Sequence, residues 1–145
     1  MNYRIEKKAA FTVVGMCRRF NAATSYVEVP KFWDEYFNCG GDPVMNGMFG
    51  VCLDGDGDNF DYLIADLYLP WNEIPDGCIT RIVPEATWAV FPYHGQCPEA
   101  LQEVNTNAWC EWLPNSDKYE LAGNFSMEYY ISDIDGEIWI PVKEK

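Results

Sequence analysis

Hydrophobic and polar positions alternate along most of this chain, with two interruptions in which apolar residues recur every three or four positions. Alternation is typical of strands that bury one face, whereas the longer period is typical of amphipathic helices. The alternating segments predict strands at 11–20, 48–53, 60–69, 78–82, 87–93, 126–131 and 137–142. The longer period predicts one helix at 28–37 and a second helix from 98 to about 113.

The predicted elements follow the order strand-helix-strand-strand twice, with a linker between the two copies. The 145 residues have the length of a single domain, and we expect its halves at about 1–70 and 86–145 around a linker at about 71–85. The repeat lies in the order of elements and predicts an α+β fold, in which two modules form one curved antiparallel sheet with two helices. We expect a ligand groove at the pseudo-two-fold axis, because binding sites favour such junctions.

The charge of the chain excludes several partners. Ten Lys and Arg residues stand against 23 Asp and Glu residues, which gives a net charge of −13. This balance opposes direct binding to nucleic acid or to an anionic membrane surface. No apolar stretch reaches the roughly 18 residues that cross a bilayer, and the charged start does not resemble a secretory signal. We therefore expect a cytoplasmic protein whose six cysteines are reduced and buried as small hydrophobic side chains.

The sequence contains no motif that predicts a metal or a cofactor. Residues 54–58 resemble the start of a calcium loop, but residues 59 and 65 are Asn and Ala where such a loop needs Gly and Glu. His94 is the only histidine, so a multi-histidine metal site is excluded. Cys97 lies near the start of the second predicted helix without an evident base beside it, which argues against a nucleophile.

Glu128 is the main candidate for a functional residue. Strand alternation places it on one face with Ser126 and Tyr130, and Met127 and Tyr129 on the other. A carboxylate among aromatic residues is costly to bury without a partner. The residue can therefore be a counter-ion for a cationic ligand, a general base for water, or a strand residue in water or held by a Tyr hydroxyl.

Aromatic residues could form the walls of a groove around Glu128. The chain has six Trp, nine Tyr and eight Phe residues, more amphipathic rings than a domain of this size needs for its core. We expect Trp139 to face the groove, because Ile138, Ile140 and Val142 on its opposite side are apolar enough to form the core. The wall residues selected by strand and helix phase are Trp33, Phe37, Tyr68, Phe91, Tyr93, Tyr130 and Trp139.

An ordered set of short motifs resembles the GyrI-like small-molecule-binding family, which includes the effector-binding domains of multidrug-responsive transcription activators of AraC and MerR type. The motifs lie at 29–37, 88–95, 98–101, 111–116, 119–120, 128–130 and 138–142, and they span nearly the whole chain. The resemblance implies a bacterial effector-binding protein with a duplicated strand-helix-strand-strand fold. It also implies an aromatic pocket for lipophilic, often cationic compounds around a buried Glu, a role that falls on Glu128.

Three functions remain open at this point. The favoured hypothesis is a free-standing protein, linked to transcription regulation, that binds or sequesters a lipophilic cation with Glu128 as counter-ion. We expect a free-standing protein, since the fold pattern begins at about Tyr3 where the activators of the family carry a DNA-binding domain ahead of it. The second hypothesis is a small-molecule hydrolase in which Glu128 activates water. The third is an acidic interaction protein whose partner is a separate regulator or DNA gyrase.

Overall fold

Within residues 2–37 and 48–145, which the computed structural model describes, the chain forms nine strands and two helical regions. The expected end of the first helix at 39–43 lies outside the described residues. The strands are β1 (Arg4–Lys8), β2 (Phe11–Asn21), β3 (Phe49–Leu53), β4 (Asn59–Leu67), β5 (Ile79–Val83), β6 (Ala86–His94), β7 (Tyr119–Leu121), β8 (Ser126–Tyr130) and β9 (Asp135–Glu144). The helices are α1 (Ser25–Phe37) and α2 (Glu99–Thr106), and α2 continues through a π-helical segment (Asn107–Trp112) into the short α3 (Leu113–Asn115).

The strands form one antiparallel sheet in the order β1-β6-β9-β8-β3-β4-β2-β5, and β7 pairs with the end of β9. The two halves, β2-α1-β3-β4 and β6-α2-β8-β9, meet where β3 pairs with β8. The strand that precedes each half pairs with the other half, since β1 lies on β6 and β5 lies on β2. The predicted duplicated α+β fold is therefore confirmed.

Apolar side chains fill both faces of the sheet. Helix α1 covers a cluster on the first half that includes Phe32, Tyr36 and Ile64, and α2 covers a cluster on the second half that includes Phe91 and Ile138. The opposite face has its own core, which is formed from strand residues and neighbouring loop residues. A sheet can enclose such a core without a covering helix only by curving around it.

Several details differ from the sequence prediction. Strands β1 and β7 were not predicted as separate elements, because each is short and is held in place by a strand that is distant in sequence. Helix α1 begins at Ser25 rather than at residue 28. Cys17, Cys97 and Cys110 are exposed, so the expectation of buried cysteines is wrong for these three. Among the described residues, no helix combines the length and apolar character needed to cross a membrane.

Candidate functional site

A cavity of about 840 Å³ lies between α1 and the start of α2, above the central strands of the sheet. Its position follows from the fold, because each helix covers one half and leaves the junction of β3 and β8 open. Seven residues of α1 line one wall, among them Tyr26, Val29, Trp33 and Phe37. The opposite wall includes Cys97, Pro98, Leu101 and Gln102, and the floor includes Tyr62, Glu128, Tyr130 and Ile138.

Glu128 is the polar centre of this floor. Its Oε1 accepts a hydrogen bond of 3.1 Å from the hydroxyl of Tyr62, and its Oε2 accepts one of 3.2 Å from the hydroxyl of Tyr130. The indole Nε1 of Trp33 in turn donates to the Tyr62 hydroxyl oxygen at 2.9 Å. Helix α1 and strands β4 and β8 therefore hold the carboxylate in one orientation.

Gly50 provides the space for this arrangement. It lies directly opposite Glu128 in the β3–β8 pair, and the Tyr62 side chain reaches over it from β4. A Cβ atom at Gly50 would overlap the Tyr62 hydroxyl and would lie 3.0 Å from Glu128 Oε1. Glycine inside a strand often marks such a close approach. The hydrogen bond between Tyr62 and Glu128 therefore depends on the missing side chain at residue 50.

No Lys, Arg or His side chain neutralises the Glu128 carboxylate in the described part of the chain. All ten Lys and Arg residues and the single His lie in the described ranges, and none of them forms an ion pair with Glu128. Burial raises the pKa of Glu128 to about 7, although the hydrogen bonds from Tyr62 and Tyr130 oppose the increase. In contrast, the buried Glu137 on the opposite face forms an ion pair with Arg4, whose Nη2 lies 2.7 Å from Glu137 Oε2. Asp34 and Asp133 also line the cavity, but Glu128 is the carboxylate on its floor, held by two tyrosine hydroxyls and paired with no basic side chain.

The neighbours of Glu128 stay neutral. Burial, and then the charge of Glu128, raise the pKa values of Tyr62 and Tyr130 well above that of an ordinary tyrosine. The same two causes raise the pKa of Cys52, in the adjacent strand, to about 12. These groups can donate hydrogen bonds to an ionised Glu128 without adding negative charge. Of these four groups, Glu128 is the one that changes its charge near neutral pH.

Aromatic rings surround the carboxylate on the side of α1. The Trp33 ring meets Tyr130 edge to face at 5.1 Å between centroids and stacks on Phe37 at 5.8 Å. Tyr26 and Phe37 line the mouth, and their exposed fractions of 68% and 48% are high for aromatic side chains. Exposed rings beside a concave surface commonly mark a binding site.

The sequence profile of the Cass2 family, described as integron-associated effector binding protein, matches residues 4–142. The chain belongs to this family. An integron cassette protein from the mobile metagenome of Vibrio cholerae has the same fold, with a TM-score of 0.76 and 17% identity over 97% of this chain and 95% of that one. No curated protein matches the sequence.

Two further structures share the fold of this Cass2-family protein. SAV2435, solved bound to tetraphenylphosphonium, gives a TM-score of 0.82 at 20% identity, over 99% of this chain and 94% of that one. EcmrR, solved in a complex with DNA, gives a TM-score of 0.56 at 15% identity, over 99% of this chain and 58% of that one. The family model confirms the expected effector-binding family, whose description supports small-molecule binding, and the solved structures confirm the fold.

The structure brings together four of the residues selected from sequence, because Glu128, Trp33, Phe37 and Tyr130 all line the cavity. Trp139 does not face the groove, and that expectation is corrected. It lies opposite Met127 in the β8–β9 pair, and its ring packs on the opposite face of the sheet with its centroid 5.7 Å from that of Trp88. Its Nε1–H donates a hydrogen bond to Glu137. Its neighbour Ile138 reaches the cavity instead.

Three other selected residues lie outside the cavity lining in the described part of the chain. Phe91 is fully buried beneath the second helical region and contacts Trp112 edge to face. Tyr93 is buried against Gly136, and Tyr68 packs at the margin of the cluster under α1. Each lies on a strand or strand end away from the central pair, where a helix or the sheet itself covers the ring.

Tyr62 and Gly50 are the residues beside the Glu128 carboxylate that the sequence did not identify. Tyr62 has the same strand phase as the selected Tyr68, so alternation marked its face but not its distance from Glu128. A glycine inside a predicted strand was the available signal for Gly50. In the described ranges, no group of three His, Cys, Asp or Glu side chains could hold a metal ion.

Proposed function

We propose that this protein binds a lipophilic cation with aromatic groups in the cavity above β3 and β8, and that Glu128 is the counter-ion. The observation that carries the proposal is the enclosed Glu128 carboxylate, which has two hydroxyl donors, aromatic neighbours and no basic side chain to neutralise it. Burying such a charge is unfavourable unless it is paired. A ligand cation supplies the missing charge.

The walls of the cavity support the aromatic part of the proposal. A delocalised cation gains from contact with the faces of aromatic rings, and Trp is the strongest partner of this kind. The cavity volume of about 840 Å³ lies in the range that accommodates drug-sized ligands. Tetraphenylphosphonium, the ligand of the similarly folded SAV2435, combines a delocalised charge with four aromatic rings and is a suitable first probe.

The proposed biological role is that of an effector-binding protein in transcription regulation. The family description, integron-associated effector binding protein, supports the first part of this role. The likeness of the fold to EcmrR, which is solved bound to DNA, supports the link to regulation. With a net charge of −13, the chain would pass a signal to DNA through a separate protein rather than by direct contact.

The test is calorimetric titration with tetraphenylphosphonium and with triphenylphosphine oxide, a neutral aromatic analogue. We expect saturable binding of the cation, at least tenfold weaker binding to Glu128→Gln, and little effect of this substitution on the neutral compound. Glu120→Gln, which changes an exposed Glu on β7, is the matched control. Equal affinity of the native protein and Glu128→Gln for the cation would refute the counter-ion role.

The pH dependence gives a second readout of the same proposal. Because the pKa of Glu128 is about 7, the ionised fraction falls up to tenfold for each pH unit below that value. Cation affinity is expected to rise with pH until about pH 7 and then to level off. The dependence should disappear in Glu128→Gln.

A further inference from the structure

A second concavity adjoins the cavity at the end away from Tyr130. It has a volume of about 560 Å³ and lies between the β3–β4 hairpin, the loop before β8 and the π-helical segment. Phe60, Trp109, Leu121 and Phe125 provide most of its large side chains. None of the described residues that line it carries a charge.

The two concavities are adjacent and share three wall residues. Cys52, Phe60 and Ser126 line both of them. Cys52 and Ser126 face each other across the β3–β8 pair, so the shared part crosses the floor of the sheet rather than a peripheral loop. Glu128 lies two residues further along β8 than Ser126, which corresponds to about 7 Å along a strand. A ligand whose charge pairs with Glu128 can therefore extend past Ser126 into the second concavity.

The chemistry of the two parts differs. The first part contains the Glu128 carboxylate among amphipathic rings, whereas the second offers mainly apolar side chains and glycine backbone. The polar side chains that line the second part, those of Asn59, Asn124 and Ser126, are uncharged. Glycines widen the second part, because no side chains project from these positions. Such a surface favours an uncharged apolar chain and provides no partner for a second cation.

We propose that the site takes an elongated amphiphilic cation, whose charged head pairs with Glu128 and whose alkyl tail occupies the second concavity. This inference rests on the proposed function of the first cavity. It goes beyond that function by naming the shape of the ligand, a single positive charge with one long apolar chain. Compact aromatic cations then occupy only the first part.

The test is a homologous series of alkyltrimethylammonium ions from butyl to dodecyl, titrated calorimetrically below their micelle concentrations. Each methylene that enters the second concavity should increase affinity about fourfold. Methylenes that stay in the first cavity or in solvent should increase the affinity less, and by amounts that vary from one member of the series to the next. We therefore expect a steep, regular rise in affinity over the longer members of the series.

Variants locate the tail. Leu121→Ser removes an apolar wall of the second concavity, and Leu67→Ser is its control, because both leucines are at strand ends, with exposed fractions of 41% and 43%. We expect Leu121→Ser to reduce dodecyl affinity at least fivefold relative to Leu67→Ser, with a smaller loss for the butyl compound. Trp109→Ala provides a second variant in case Leu121→Ser does not fold.

The outcomes separate the two proposals. Butyl or tetraphenylphosphonium binding that depends on Glu128, together with no regular gain for longer chains, would overturn the tail site and leave the proposed function standing. The tail site would also be overturned if Leu67→Ser and Leu121→Ser reduced the gain in affinity with chain length by the same amount. Failure of every cation to bind would overturn both proposals.

Discussion

Replacing Glu128 by Gln should make the unliganded protein more stable at alkaline pH and leave its stability nearly unchanged at acidic pH. Gln has almost the same shape as a protonated Glu and can hydrogen-bond to the hydroxyls of Tyr62 and Tyr130, which both donate and accept. The substitution therefore removes the ionised state without creating a cavity.

The sign and size of the effect follow from the pKa of Glu128. Its value is about 7 in the folded protein and 4.5 for an ordinary Glu, so the folded state holds a proton that the unfolded state has already released. The favourable contribution is complete below pH 4.5, decreases as pH rises and is lost above about 7. The full difference between the two pKa values corresponds to about 3 kcal/mol, which is an upper value because the side chain is only half-buried.

The assay is urea unfolding followed by tryptophan fluorescence at about pH 5, 6, 7 and 8. The free energy of unfolding of Glu128→Gln should exceed that of the native protein by about 2–3 kcal/mol at about pH 8 and by less than about 1 kcal/mol at about pH 5. Glu120→Gln should show no such trend. A constant difference between native protein and Glu128→Gln across this range would show that burial does not control the ionisation of Glu128.

Three further predictions concern the surroundings of the carboxylate. Gly50→Ala should displace the Tyr62 hydroxyl, and we expect it to lower the free energy of unfolding by about 1–3 kcal/mol and to weaken cation binding about tenfold. Gly55→Ala is the control and should unfold like the native protein, because a Cβ there would come no closer than 3.4 Å to the backbone oxygen of Asn124. Trp33→Phe keeps a ring but removes the indole donor, and calorimetry should show a three- to tenfold loss of cation affinity, about 1 kcal/mol. Cys52, with a pKa of about 12, should react with iodoacetamide about 100-fold more slowly than the exposed Cys110 at about pH 8, as measured by site-resolved mass spectrometry. Comparable rates would contradict the raised pKa of Cys52.

The sequence predicted the part of the site that depends on one strand. Alternation in β8 was sufficient to place Glu128 and Tyr130 on the same face, and helical spacing placed Trp33 and Phe37 on the same side of α1. These residues are close in sequence, so their relative positions follow from local geometry.

The parts that sequence could not predict depend on register between distant strands. Tyr62 reaches Glu128 because β4 lies on β3, β3 lies on β8, and Gly50 leaves room between them. Trp139 was assigned to the wrong face because nearly every residue of β9 is buried, including both Trp139 and Ile138. Alternation identifies a face only when one side of a strand is polar, and β9 has no such side.

The pairing of β1 with β6 and of β5 with β2 has a consequence for the integrity of the molecule. Each half donates its leading strand to the other, so cleavage of the backbone between β4 and β5 would not divide the protein into two self-sufficient parts. Each fragment would expose a sheet edge that only its counterpart fills, and the two fragments would reassemble by reciprocal strand exchange. The floor that carries Glu128 would then form again at the joint between two separate polypeptides.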